Sequence, residues 1–165
     1  MKTHISTLKT AVFFLFLMLC FAAANAQDKQ DQNSALQNAI PNKQFIFNAQ
    51  TVIPMRGATR QVSNDRYTVR VSGDSLTSDL PYFGRAYVAP INGEGGGIHF
   101  TSTKFDYAVQ PGKKGGWNVS IHPKDATDVR EFIITVSKDG YATLQALSNN
   151  RQPITFNGKV DAIHQ

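Results

Sequence analysis

Cysteine is nearly absent from this 165-residue chain. Cys20 is the only one, and it lies in an apolar run near the N-terminus. Past that run no intrachain disulfide can form. Thiol catalysis, cysteine-ligated zinc and dithiol redox chemistry are excluded there as well. Clustered basic charge is also missing. The formal net charge is +5, and it falls to +3 once the first 26 residues, with Lys2 and Lys9, are set aside. In the remainder Lys113-Lys114 is the only adjacent basic pair. Nucleic-acid binders carry a basic face or stripe, so nucleic acid is not an expected partner. No repeat of fixed period is visible.

The signatures of catalysis are missing too. There is no Gly-x-Ser-x-Gly elbow to present a nucleophile. Gly93 to Gly97 is glycine-rich, but no Gly-Lys-Ser/Thr follows, so it reads as a flexible hairpin tip and not a phosphate cradle. His99, His122 and His164 lack ligand spacing and fall on polar strand faces or in the tail. Ser102, Asp106 and His99 can be set out on paper as a triad, but almost any chain of this size allows that. The expectation is no catalytic residue, no metal ligand and no cofactor: the protein is not read as an enzyme.

What is present begins with an address. A basic start with Lys2 is followed by an apolar run from Ala11 to Ala24 and by Ala24-Asn25-Ala26. These are the three parts of a secretory signal peptide, cut after Ala26. A membrane span needs about 20 apolar residues, and this run is shorter. The other reading is a lipid anchor through Cys20, which bulky Leu19 directly before it opposes. The expected place is therefore the periplasm, with no membrane span after cleavage. The expected organisation is a signal peptide over 1–26, a flexible polar lead over 27–33 and a single β-rich domain over 34–165.

Within that domain the first periodicity is helical. Leu36, Ala39 and Ile40 fall three and four apart, and Pro41-Asn42 stops the run. From Lys43 onward the period is two, the mark of half-buried strands. Phe45, Phe47 and Ala49 share a face, as do Tyr67, Val69 and Val71. The same alternation recurs in Ala86–Ala89, Ile98–Thr101, Phe105–Val109, Trp117–His122, Phe132–Val136, Ala142–Ala146 and Ile154–Phe156. Asp139-Gly140 signals a tight hairpin. Short linkers between successive strands imply antiparallel neighbours. The spacing predicts a mainly β fold, an antiparallel meander of about eight to nine strands with a short N-terminal helix. Barrel, half-barrel and two-sheet sandwich all remain open.

One segment stands apart. Asp79 to Pro90 packs Tyr82, Phe83, Arg85 and Tyr87 around Pro81 and Gly84. Aromatic rings give large contact areas, and an arginine fork suits a carboxylate or sulfate. Those four residues are the candidate ligand site. The competing reading is a sheet corner, with the aromatics plugging the core and Arg85 paired to an acid such as Asp106.

The same residues carry a resemblance. Leu80-Pro-Tyr-Phe-Gly-Arg-Ala-Tyr-Val-Ala-Pro90, Gly96-Gly-Ile-His-Phe-Thr-Ser102 and Phe105-Asp-Tyr107 resemble the family catalogued as domain of unknown function 4251. So do Val136-Ser137, Gly140-Tyr-Ala-Thr-Leu144 and Asn150 to Gly158. The likeness covers roughly Ala35 to Val160. It implies an exported protein of a Gram-negative bacterium and supplies no activity, substrate or catalytic residue.

Two functional readings of different class follow. The first is a non-catalytic periplasmic module holding one small ligand, with Tyr82, Phe83, Arg85 and Tyr87 near the mouth. The second is an envelope structural or protein-interaction module using a sheet edge or aromatic patch. The partner is therefore an unknown small molecule or an envelope protein, and the expected state is a monomer.

Overall fold

The structure is a computed structural model and describes residues 34–63, 66–87, 96–126 and 128–163. The leader, the 27–33 lead and His164 lie outside the described residues. A short helix, α1, spans 34–39. Ten strands follow: β1 Gln44–Pro54, β2 Arg60–Gln61, β3 Thr68–Ser72, β4 Ser75–Leu80, β5 Ile98–Ser102, β6 Phe105–Pro111, β7 Trp117–Pro123, β8 Val129–Val136, β9 Tyr141–Ser148 and β10 Ile154–Ala162. One 3-10 turn, Lys113–Gly115, joins β6 to β7.

Every pairing is antiparallel, in the order β5-β4-β3-β1-β10-β9-β8-β7-β6, with β2 added to β1. The two edge strands, β5 and β6, are consecutive in the chain, joined only by Thr103 and Lys104. Laid flat, nine strands would put those edges about 38 Å apart at ~4.8 Å per strand. A two-residue link reaches about 11 Å between flanking Cα atoms. The sheet must therefore curl until its edges meet, and it forms a nearly closed barrel. That decides among the three architectures the sequence left open.

The seam is fastened by side chains and loops in place of a ladder. The Lys124 N–H donates to the Lys104 carbonyl at 2.7 Å. Ser102 donates to Asp125, which also accepts from the Thr103 N–H. Phe100 of β5 stacks on Phe132 of β8, centroids 6.0 Å apart. Near α1, the Tyr107 hydroxyl donates to the Ile40 carbonyl at 2.6 Å, and Lys43 lies over the rings of Phe105 and Tyr107. Burial pushes the Tyr107 phenol well above its ordinary range. Leu36 of α1 and Ile40 directly after it are fully buried and cap the core.

The inward faces meet in one cluster: Phe45 and Phe47, Val69 and Val71, Leu76 and Leu80, Ile121, Phe132 and Ile134, Leu144, and Phe156. Each large side chain so buried contributes about 1.5–3 kcal/mol. The interior is a packed apolar core, and the polar alternates face outward.

The structure adds what periodicity missed. β4 reads Ser-Leu-Thr-Ser-Asp-Leu, too polar to register as a strand, yet Leu76, Ser78 and Leu80 all point inward. Ser78 is tolerated there because its hydroxyl donates to the Ile98 carbonyl at 2.9 Å. The expected strand at Ala86–Ala89 is reduced to a single bridge, Ala86 to Arg151, and its last two residues lie outside the described residues. The Asp139-Gly140 hairpin is present: Ser137 and Tyr141 close it, and Gly140 takes a φ of 79° that an L side chain resists.

Candidate functional site

Tyr82, Phe83, Arg85 and Tyr87 lie just past β4, and the structure gives them unlike surroundings. The stretch folds back on the β9–β10 connection. The Gln152 N–H donates to the Arg85 carbonyl at 3.1 Å, and the Tyr87 N–H to the Asn150 carbonyl at 2.8 Å. The Tyr82 hydroxyl lies 2.9 Å from the carbonyl oxygens of both Arg85 and Gln152. Burial, more than any other influence, raises the Tyr82 phenol above its ordinary 10.0, while the Arg151 cation pulls the other way.

Arg151 is the hub of this corner. Its side chain is only 13% exposed. Its Nε pairs with Asp128 at 3.0 Å, its terminal nitrogen donates to the carbonyls of Gly96 and Gly97, and its plane covers the Tyr82 ring at 5.0 Å. Sequence reasoning left Arg151 in an ordinary connection. Only the fold shows that it ties three segments together.

The other three residues face solvent. Phe83 is 37% exposed and carries the Arg60 guanidinium over its ring at 4.5 Å. Tyr87 is 67% exposed, and Arg85 is exposed. The expected pairing of Arg85 with Asp106 does not occur. Asp106 binds Lys124 at 2.8 Å across the sheet, and Arg85 has no ion pair among the described residues.

The paper triad does not assemble. His99 pairs with Asp79, its cross-strand neighbour, at 2.7 Å. Ser102 is buried and holds Asp125, whose carboxyl it keeps below the ordinary range. Asp106 is engaged by Lys124. His122 has a carboxylate partner that spacing could not show, Glu131 at 3.4 Å. Among the described residues no three histidine or acidic side chains gather as a metal site.

A different place has the shape of a binding surface. An open groove of about 720 Å³ crosses the outer face of the sheet. Register builds it. Asn118 faces Thr135, Thr135 faces Thr143, Thr143 faces Asn157, Asn157 faces Thr51, and Thr51 faces Gln61. This is one row of amides and hydroxyls across six strands. It is organised in pairs: Thr135 donates to Asn118 at 3.2 Å, Thr143 to Asn157 at 3.0 Å, and Thr51 to Gln61 at 3.2 Å. Each pair uses one amide oxygen and one hydroxyl proton. The amide N–H groups and the remaining lone pairs stay available.

Lys113 and Tyr141 border the groove, and no carboxylate lines it. Tyr141 is 59% exposed, with Lys159 over its ring at 4.8 Å. The floor includes Gly158, opposite the bulge between Ala49 and Thr51 in β1. A Cβ there would meet the Asn48 carbonyl oxygen at 2.0 Å. The buried hydroxyl of Ser137, also in the lining, has no hydrogen-bond partner. Sequence alternation marked Asn118 and Thr135 as outward polar residues. The row itself needed the register.

Comparison with known proteins follows the same division between fold and chemistry. A family model described as "Domain of unknown function (DUF4251)" matches residues 27–160. No curated protein matches the chain. Among solved structures, it is similar to the crystal structure of a DUF4251 family protein from Bacteroides eggerthii DSM 20697. The two share 20% identity and a TM-score of 0.61, over 82% of this chain and 91% of that one. At that identity the likeness is one of fold.

Proposed function

This chain belongs to the DUF4251 family, and from that premise we propose that it is a non-catalytic, exported binding module whose ligand lies in the outer groove. The carrying observation is the paired amide–hydroxyl row from Asn118 to Asn157 that lines it. Side chains that both donate and accept suit a ligand that does the same, a neutral hydroxyl-rich molecule such as a saccharide. Lys113 admits a weakly anionic one. The packed interior supports an outer site over an enclosed one, because the inward side chains already form a continuous core. The leader pattern supports a periplasmic location. The separate partners of His99, Ser102 and Asp106 support binding without chemistry.

Native mass spectrometry of the protein purified from its own cells tests this. The expected result is a retained neutral, oxygen-rich species that is lost from Asn157→Ala and Thr143→Ala. A retained species that survives both substitutions would place the site elsewhere. The protein emerging bare, with no shift of groove amides on adding neutral oligosaccharides in an NMR titration, would end the proposal.

A further inference from the structure

One end of the barrel gathers side chains that neither the core nor the groove uses. Among the described residues four large apolar side chains are exposed: Met55, Phe83, Tyr87 and Tyr141. Three of the four lie at this end. Met55 follows Pro54, which pairs with Ile154. The run just before Ile154, Asn150 to Gln152, holds the 85–87 stretch by backbone hydrogen bonds. The 55–59 hairpin tip and the 82–87 segment therefore flank the same short run. The stacking of Arg60 on Phe83 joins them directly.

Among the described residues the charge without an ion pair at this end has one sign. Arg56 lies in the hairpin tip, Arg60 directly after it and Arg85 in the 82–87 segment, and none has an ion pair among the described residues. The acids that face it are engaged: Asp79 by His99 and Asp128 by Arg151. A soluble surface rarely concentrates exposed methionine and aromatic side chains without a partner. Charge alone would suit any polyanion. The apolar tip asks for something more, a phase into which Met55 and Phe83 can sink while the Tyr87 ring stays at the boundary and arginine forks meet phosphate.

We propose that this end of the barrel, Met55, Arg56, Arg60, Phe83, Arg85 and Tyr87, docks reversibly on a lipid surface bearing anionic phosphate headgroups. The contact is peripheral. No helix among the described residues is long and apolar enough to cross a membrane, and the outer wall is lined by the polar row. Docking by this end leaves the groove on the side of the barrel open.

The test is sedimentation of the full chain with phosphatidylcholine vesicles, with and without phosphatidylglycerol. The apolar run at the N-terminus is common to every variant, so it cancels from the ratio of variant to wild type. Each arginine removed is expected to lower partitioning onto the anionic vesicles about fivefold. Arg60→Gln with Arg85→Gln therefore loses about 25-fold. Phe83→Ser and Tyr87→Ser weaken binding at unchanged charge. Cooperative thermal transitions in all three variants show that they fold. Unchanged partitioning of the arginine double variant overturns the proposal. So does a second pattern: serine variants that bind vesicles like wild type, alongside arginine variants that also lose binding to soluble dextran sulfate. That pattern assigns the face to a soluble polyanion.

Discussion

The 80–87 corner and the outer groove are built from opposite uses of polar groups. In the corner they face one another. Arg151 reaches Asp128, Tyr82 and two carbonyls, and the backbone of 85–87 is paired with 150–152. In the groove they face outward, and the pairs Asn118–Thr135 and Thr143–Asn157 satisfy only part of what each amide and hydroxyl can do. The corner was the more conspicuous in sequence because aromatics and glycine crowd into it. Its inner layer holds the fold and leaves little for a ligand. Density of interesting side chains marks a place of consequence; unused hydrogen-bonding capacity marks a place that can bind.

The strongest blow to this contrast falls on the groove floor. Gly158→Ala pushes a methyl against the Asn48 carbonyl oxygen, where backbone on both sides leaves nothing flexible to move. The expected cost is about 3 kcal/mol, the upper end for an overpacked site, read as a lowered denaturation midpoint. A neutral result would mean that β1 and β10 can part at the bulge, and that the groove is not rigidly floored. Arg151→Met comes next. It leaves Asp128, 30% exposed, without its cation and frees the Gly96 and Gly97 carbonyls. A fully buried pair broken this way costs about 3–5 kcal/mol, so this partly exposed one should cost about 2 kcal/mol. Groove variants such as Thr143→Ala should change stability by less than about 0.5 kcal/mol. If Arg151→Met proves as mild as they are, the corner is not the structural element argued for.

Tyr82→Phe is a finer cut. It removes only the hydroxyl that the Arg85 and Gln152 carbonyls share, at a cost of about 1 kcal/mol. It also changes the alkaline limb of stability. The folded phenol is raised above its ordinary 10.0, mainly by burial. Its contribution is therefore fully present below pH 10.0 and is lost as pH climbs from there through the folded value. Tyr107, raised by burial as well, acts in the same direction. Tyr82→Phe should flatten part of the alkaline decline in chemical denaturation and leave the rest to Tyr107. An unchanged decline would show that Tyr82 ionises as freely in the folded protein as in the unfolded one.

The fold was largely legible because the core obeys a period of two. Phe45 and Phe47, Phe132 and Ile134, and Leu144 alternate as read and are buried as read. Leu36 and Ile40 marked the helix for the same reason. β4 escaped because one of its three inward positions is a serine whose hydroxyl is satisfied by Ile98, a partner found only after folding. Closure escaped because it depends on strand order: nothing local in Thr103-Lys104 says that it joins opposite edges of one sheet. The candidate site was legible by composition and not by role. Tyr82, Phe83 and Arg85 stand out in the sequence, but Arg151, over Tyr82, and Arg60, over Phe83, come from other segments and reach them only through the topology. The groove was the least legible. Asn118, Thr135, Thr143 and Asn157 are ordinary polar alternates of four strands, and only register turns them into a row.

The smallest expected effect is also the sharpest test of how the corner is divided. Arg85 contributes its carbonyl to Gln152 and Tyr82, while its side chain is exposed and without an ion pair among the described residues. Arg85→Ala keeps the carbonyl and deletes only the guanidinium. Stability should stay within about 0.5 kcal/mol of wild type, as for other surface substitutions, with a fully cooperative thermal transition. Set beside Tyr82→Phe three residues away, the pair separates what the segment does for the fold from what it offers to a partner. A loss of cooperativity in Arg85→Ala would assign the guanidinium to the structural layer. The exposed arginines would then no longer form a surface free to meet an anion.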